Sequence, residues 1–516
     1  MRISRPLLTL ALLLWAGLVS CTPRPTTDPV KTQAGRVAGT TSAGGDVRIF
    51  RGIPFAAPPV GALRWKAPQP VKPWTDVRNC TAFGPSPMQN APAPFSMWTE
   101  EYLIPEEPID EDCLYLNVWT GARSATEKRP VLVWIYGGGF VSGGSAVPIY
   151  DGEAMAKKGI VFVSINYRVG VFGFFSHPEL SKESDRNASG NYGLMDQVAA
   201  LQWVQQNIAA FGGDPRNVTV AGQSAGAMSV NCLVASPLAK GLFGKAIAHS
   251  GASFGRNMLT LREAEAEGET VARSLGVASL ADLRKVPARE LLEKAKLTRR
   301  PIVDGYVLPE AVPAIFAAGR QNHVALLTGW NEDEGLSNGP VKSADDFRKW
   351  AQEQYGADAR TFLQLYPAAT DAEAAGSQAK LSRDLVFGAQ NYAWANAQHE
   401  AGKAPVYVYR FTRKVPATGE YVKYGAFHTG EVPYAYDNLK FVNRPWEPVD
   451  HALAATMSAY WANFARSGAP GGSGLPEWPA YTTGDKQIMV LGEKPAARPL
   501  PDAPALEFLR ARMRGN

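Results

Sequence analysis

Cysteine and histidine are both scarce in this chain, at four and six residues in 516. So few cysteines exclude a disulfide-dense scaffold and leave the fold to an ordinary hydrophobic core. Charge of one sign is also missing: 53 basic residues face 48 acidic ones, a net of +5, mixed along the chain rather than gathered into arms or patches. That argues against nucleic acid as a partner. The apolar run from Leu7 to Leu18 is too short and wrongly flanked for a transmembrane helix. No repeat is visible, nor any long linker after residue 35. What is present is 45% hydrophobic and 20% charged residues, a composition able to bury a large core.

The N-terminus carries Arg2 and Arg5 before that apolar run, the pattern of an export signal. It ends in Leu18-Val19-Ser20-Cys21, which resembles the lipobox of bacterial lipoproteins, where cleavage leaves the cysteine as a lipidated first residue. An ordinary signal peptide with a chance cysteine is the alternative. The expected division is a leader at 1–20, a Pro-rich polar tether at 21–34, and one domain at 35–516. Without Cys21 there remain Cys80, Cys113 and Cys232, so one disulfide is the most to expect. Cys232 lies in the small and apolar stretch SAGAMSVNCLVASP and reads as a buried thiol. Cys80 and Cys113 are then the expected pair.

Short runs rich in Val and Ile, at 131–136, 160–166, 218–221, 246–249, 324–328 and 406–411, are uniformly apolar. Uniform apolarity signals burial on both faces, as in a parallel sheet covered by helices. Helical patterns lie between some of them. One carries Leu194, Val198, Leu201 and Ile208 and stops at Gly212-Gly213, and another carries Leu453, Met457, Tyr460, Trp461 and Phe464. The alternation predicts an α/β sheet with crossovers. Segments 262–298 and 343–400 read as helical insertions.

The sharpest local signal is Gly222-Gln223-Ser224-Ala225-Gly226, after the strand VTVA and before a small-residue helix. A serine on a tight strand-to-helix turn needs small neighbours on either side, and the helix N-terminus aims N–H groups at developing negative charge. Upstream, Tyr136-Gly137-Gly138-Gly139-Phe140 ends another strand. Its glycines let backbone N–H groups approach a substrate and, with the N–H of Ala225, can form an oxyanion hole. The run has neither Walker nor G-x-G-x-x-G spacing.

With these motifs the chain resembles the type B carboxylesterase and cholinesterase family, over nearly everything from Gly35 onward. Matching stretches include FRGIPFAAPPVGALRW (50–65), EDCLYLNVW (111–119), VWIYGGGF (133–140), NYRVGVFGF (166–174), GQSAGAMS (222–229), GWNEDEG (329–335) and GAFHTGEVPY (425–434). The resemblance implies an α/β-hydrolase fold with a large, mostly parallel sheet and helical insertions over the site. It implies hydrolysis of a small-molecule carboxylic ester, with no metal and no organic cofactor. It selects Ser224 as nucleophile, Glu334 as acid and His428 as base, with Gly138, Gly139 and Ala225 supplying the oxyanion N–H groups. From the residues alone, Glu332, Asp333 and Glu334 are adjacent candidates for the acid. His249, at a strand end, is the one rival to His428. Phe95, Met97 and Trp98 either line the entrance or pack beneath their loop. The competing readings are a non-catalytic relative and a lipase, thioesterase or peptidase on the same fold.

Overall fold

A computed structural model describes residues 27–513, except 256–257, 298–299 and 336–338. The leader and the first residues of the tether, 21–26 with Cys21, lie outside the described residues; within the rest of the tether, Val30 and Lys31 pair antiparallel with Val37 and Arg36. Eleven strands form the main sheet: β1 (Thr40–Thr41), β2 (Arg48–Pro54), β3 (Tyr115–Thr120), β4 (Arg129–Ile135), β5 (Val161–Ile165), β6 (Gly213–Gln223), β7 (Lys245–His249), β8 (Ala325–Asn331), β9 (Val406–Phe411), β10 (Gln487–Leu491) and β11 (Ala496–Pro499). Across the sheet they run β11-β10-β9-β8-β7-β6-β4-β5-β3-β2-β1.

The seven strands β4 to β10 pair in parallel, and antiparallel strands flank them on both sides. All six uniformly apolar runs fall in the parallel part. Val131 to Ile135 of β4 are fully buried, as burial on both faces requires. The strand β3 is less readable because Asn117 interrupts it. That amide is satisfied inside, donating to Ser145 Oγ and Ser164 Oγ, both at 3.0 Å, and accepting from Gly52 N at 2.9 Å.

The larger helices are α1 (Tyr192–Asn207), α2 (Ala225–Ala235), α3 (Leu261–Ser274), α4 (Ala344–Tyr355), α5 (Asp371–Arg383), α6 (Ala389–Glu400), α7 (Pro448–Ser467) and α8 (Ala503–Met513). A 3₁₀ turn follows α1 and ends at Gly212, whose φ of +84° closes the C-terminus. α7 begins with Pro448 behind a reciprocal Glu447–Asp450 cap and stops at Gly468, φ +81°. Its expected apolar face, Leu453, Met457, Tyr460, Trp461 and Phe464, is buried. The two insertions are helical, carrying α3 between β7 and β8 and α4 to α6 between β8 and β9. A π-helical turn, Asp384–Gly388, joins α5 to α6.

The chain reverses direction across the sheet at β4, with β5 on one side and β6 on the other. Ligands in open α/β sheets bind outside the carboxyl ends of strands at such a switch point. Both glycine motifs emerge there, one from β4 and one from β6.

The expected Cys80–Cys113 disulfide is not formed. Both residues are buried free thiols, as is Cys232. Cys80 is held beside β2, its N–H donating to Ala38 O at 2.7 Å and its Sγ facing Gly52 O. Cys113 instead faces a small void lined by Arg64, Trp65 and Arg168. The two side chains are committed to different surroundings.

Candidate active site

Ser224 joins β6 to α2 with φ +57° and ψ −123°, a conformation that costs a non-glycine residue about 1–3 kcal/mol. Close packing enforces it. A Cβ on Gly222 would stand 2.5 Å from Gly226 C, and one on Gly226 would stand 2.1 Å from Ile135 O. Only with glycine at both places can the turn press against β4. Ser224 N donates to His249 O at 2.9 Å. The half-buried side chain lines a cavity of about 710 Å³ that His428 also lines.

The glycine turn after β4 forms the facing wall. Gly138 O accepts from Val141 N at 3.0 Å and Ser142 N at 3.1 Å. The N–H groups of Gly138, Gly139 and Ala225 donate to no described residue, and α2 begins at Ala225, so its helix end is open to an anion. The turn is braced from below. Tyr136 and Tyr167 stack with centroids 4.4 Å apart and exchange hydroxyl-to-carbonyl bonds of 2.8 and 3.1 Å. Arg168 anchors that brace through a buried bidentate pair with Asp196, at 2.7 and 2.8 Å. Gly170 N donates to Phe140 O at 2.7 Å.

The three adjacent acids after β8 have three different partners. Glu332 takes Arg383 and Arg410, each at 2.7 Å. Asp333 accepts Ala426 N at 2.7 Å and so fixes the loop carrying the histidine. Glu334 alone reaches His428, with Oε2 2.6 Å from Nδ1. Its Oε1 is occupied by Ser250 Oγ at 2.7 Å and Asn331 N at 2.8 Å. A carboxylate so held faces Nδ1 as an acceptor, which places the ring proton on Nδ1 and leaves Nε2 a lone pair.

His428 is buried and sandwiched. Phe387, on the π-helical turn, stacks on it at 4.5 Å and 13°, and Trp98 meets it edge-on at 6.2 Å. Such turns are frequent at functional sites. Gln223 Nε2 lies 3.0 Å from His428 Nε2. No described group bonds Ser224 Oγ, and the Gln223 amide holds the lone pair; such contacts commonly rearrange when substrate binds. Left-handed backbone gathers around the cavity, at Phe140, Ser224, Ser250, Glu334 and Thr429, as strain does at functional sites.

His249 is excluded as the base by its own bonds. Trp461 Nε1 donates to its Nε2 at 2.9 Å, and an indole N–H cannot accept. The proton is therefore on Nδ1, which faces Glu431 Oε1 at 3.2 Å. Neither nitrogen is free, and the ring is fully buried.

The sequence profile of the Carboxylesterase family matches residues 26–509. The chain belongs to this family. The chain is 37% identical over 508 residues to fumonisin B1 esterase of Sphingopyxis macrogoltabida, covering 93% of this chain and 90% of that one. It is 37% identical over 487 residues to para-nitrobenzyl esterase of Bacillus subtilis, covering 90% and 94%, and 34% identical to liver carboxylesterase 1 of Oryctolagus cuniculus, covering 94% of each. A solved structure of PNB esterase superposes with a TM-score of 0.80 at 35% identity, covering 93% of this chain and 99% of that one. This carboxylesterase is a carboxylic ester hydrolase with the α/β-hydrolase fold.

Other residues at the site of this carboxylesterase had no readable signal of their own. Gln223 is the variable position of a five-residue motif, and Phe387 lies within a helical insertion. Ser250, Asn331 and Glu431 act behind the cavity, where Asn331 Nδ2 donates to Glu431 Oε2 at 2.5 Å. Trp98 does line the cavity, with its Nε1 donating to Thr429 Oγ1 at 3.2 Å, and Phe95 lines it too. Met97 is fully buried beneath them.

Proposed function

We propose that this carboxylesterase hydrolyses its ester through an acyl-enzyme on Ser224, with His428 as general base and acid and Glu334 holding the histidine. The observation that carries this reading is the 2.6 Å contact of Glu334 Oε2 with His428 Nδ1 behind a cavity lined by both Ser224 and His428. Substrate entry moves the Gln223 amide off Nε2, and the Ser224 hydroxyl takes its place. As Oγ attacks the carbonyl carbon, its proton passes to Nε2, and the Nδ1 proton stays shared with Glu334. The imidazolium so formed lies on the Phe387 ring, a face that attracts positive charge.

The carbonyl oxygen becomes an oxyanion facing the N–H groups of Gly138, Gly139 and Ala225, each worth about 3–4 kcal/mol of barrier lowering. Collapse breaks the carbon–oxygen bond of the ester, and the leaving alcohol takes the proton from Nε2. Water then attacks the acyl-enzyme, giving its proton to the same nitrogen; collapse breaks the acyl bond to Oγ, which takes that proton back as the acid departs. Ser224→Ala should lower turnover of an aryl ester by roughly 10⁴-fold or more with the circular dichroism spectrum unchanged. Turnover within tenfold of the parent would remove Ser224 from this role.

We also propose that the enzyme is exported and tethered to a membrane through lipid on Cys21. The basic-then-apolar start and the Leu18–Cys21 sequence support this, and stable anchoring would use more than one acyl chain. Cys21→Ala should move the activity from the membrane fraction to the soluble one. Activity that stays in the membrane fraction would contradict it.

A further inference from the structure

Resting on the reading of Ser224 as nucleophile, we propose that this site selects esters that are uncharged on both the acyl and alcohol sides, and rejects esters carrying a carboxylate. Among the described residues, none that lines the cavity is Lys, Arg, Asp or Glu. Tyr102 and Tyr150 are neutral phenols there, their pKa values raised by burial. Among the described lining residues His428 is the one histidine, and its two nitrogens already face Glu334 Oε2 and Gln223 Nε2. The walls are apolar and aromatic, with Phe95 and Val141 59% and 41% exposed at the surface, so an apolar group meets carbon wherever it lies.

The polar side chains are mostly consumed. Gln89 donates to Pro87 O and Gly143 O and accepts from Gly143 N, all at 2.8 Å. Thr429 Oγ1 is held by Trp98. Arg444 lies 6.0 Å from the Tyr102 ring, but it covers Phe427 and does not line the cavity. A substrate carboxylate would therefore lose its water without gaining a cation, at a large cost for a buried charge. The best donors left to it are the free N–H groups of Gly138, Gly139 and Ala225. A carboxylate seated on them occupies the place of the reacting carbonyl, so the ester binds in a dead-end pose.

The test uses 1-naphthyl butyrate and 1-naphthyl hemisuccinate, which share the alcohol and the acyl chain length and differ by one carboxylate. Each rate is divided by its uncatalysed rate. We expect kcat/KM for the butyrate to exceed that for the hemisuccinate by about 100-fold, and Leu292→Lys, which sets a cation in the cavity wall, to narrow the ratio about tenfold. A ratio below about tenfold, or a folded Leu292→Lys enzyme whose ratio does not narrow, would overturn the charge selection. Failure of the underlying reading looks different: turnover of both esters survives Ser224→Ala.

Discussion

Replacing Glu334 by glutamine tests the acid by reversing one hydrogen bond while keeping shape. Glu334 Oε1 accepts from Ser250 Oγ at 2.7 Å and from Asn331 N at 2.8 Å. The glutamine carbonyl must take that place, because an NH₂ group there would face two donors. Its NH₂ group is then left where Oε2 stands, 2.6 Å from His428 Nδ1. An amide N–H donates, so Nδ1 must accept and the ring proton moves to Nε2. The base now presents N–H where it needs a lone pair. An acid-to-amide change of this kind in a Ser-His-Asp triad costs kcat about 10⁴-fold, which is about 5.5 kcal/mol at 1.36 kcal/mol per decade. Steady-state kinetics with a p-nitrophenyl ester would show the loss in kcat, with KM nearly unchanged and melting temperature close to the parent. A loss below about tenfold would refute the assignment of Glu334 as the residue that fixes the histidine tautomer.

Three further outcomes follow from neighbouring features. Gly138→Ala places a Cβ 2.2 Å from Ser142 O at φ +106°, displacing the turn, so kcat should fall about 100-fold or more with the fold retained; retention of full kcat would mean that this turn supplies no oxyanion donor. In Glu332, burial raises the pKa, but Arg410 and Arg383 outweigh it and hold the carboxyl below its ordinary value. A lowered folded-state pKa gives stability present above the unfolded value, about pH 4.3, and lost as pH falls through the folded one. Glu332→Gln should therefore melt lower than the parent at pH 7, with the gap closing in acid; a gap that widens in acid would contradict the sign. Finally, the Cys21→Ala protein, unfolded without reductant, should show three free thiols by Ellman titration, against one if Cys80 and Cys113 were bonded. The folded protein should react slowly, since burial pushes the Cys80 and Cys232 thiols up to about 12.

The serine turn was legible in the sequence because its demands are local. Gly222 and Gly226 are required by contacts with each other and with β4, so the motif carries its own geometry. The parallel strands were legible because burial on both faces leaves an unbroken apolar run. Which of the three adjacent acids meets His428 was not legible from residues alone. Glu332, Asp333 and Glu334 differ only in partners some tens of residues away, two arginines, a backbone N–H and a histidine, and the family resemblance was needed to choose among them. His249 and His428 both lie at the sheet's carboxyl end, and only the indole of Trp461 removes the first. The disulfide expectation failed for the related reason that pairing depends on where two side chains face, which spacing does not encode. Phe387 was invisible because its approach to His428 depends on a π-helical turn inside an otherwise regular helical stretch.

The most direct test of the central claim is where a covalent bond forms. Incubation with a fluorophosphonate, then proteolysis and tandem mass spectrometry, should place one adduct per chain on Ser224 and none in the Ser224→Ala protein. Labelling of Glu334→Gln and of His428→Ala should be slowed by orders of magnitude while remaining on Ser224. An adduct on another residue, or an active enzyme that takes up no label, would contradict the account.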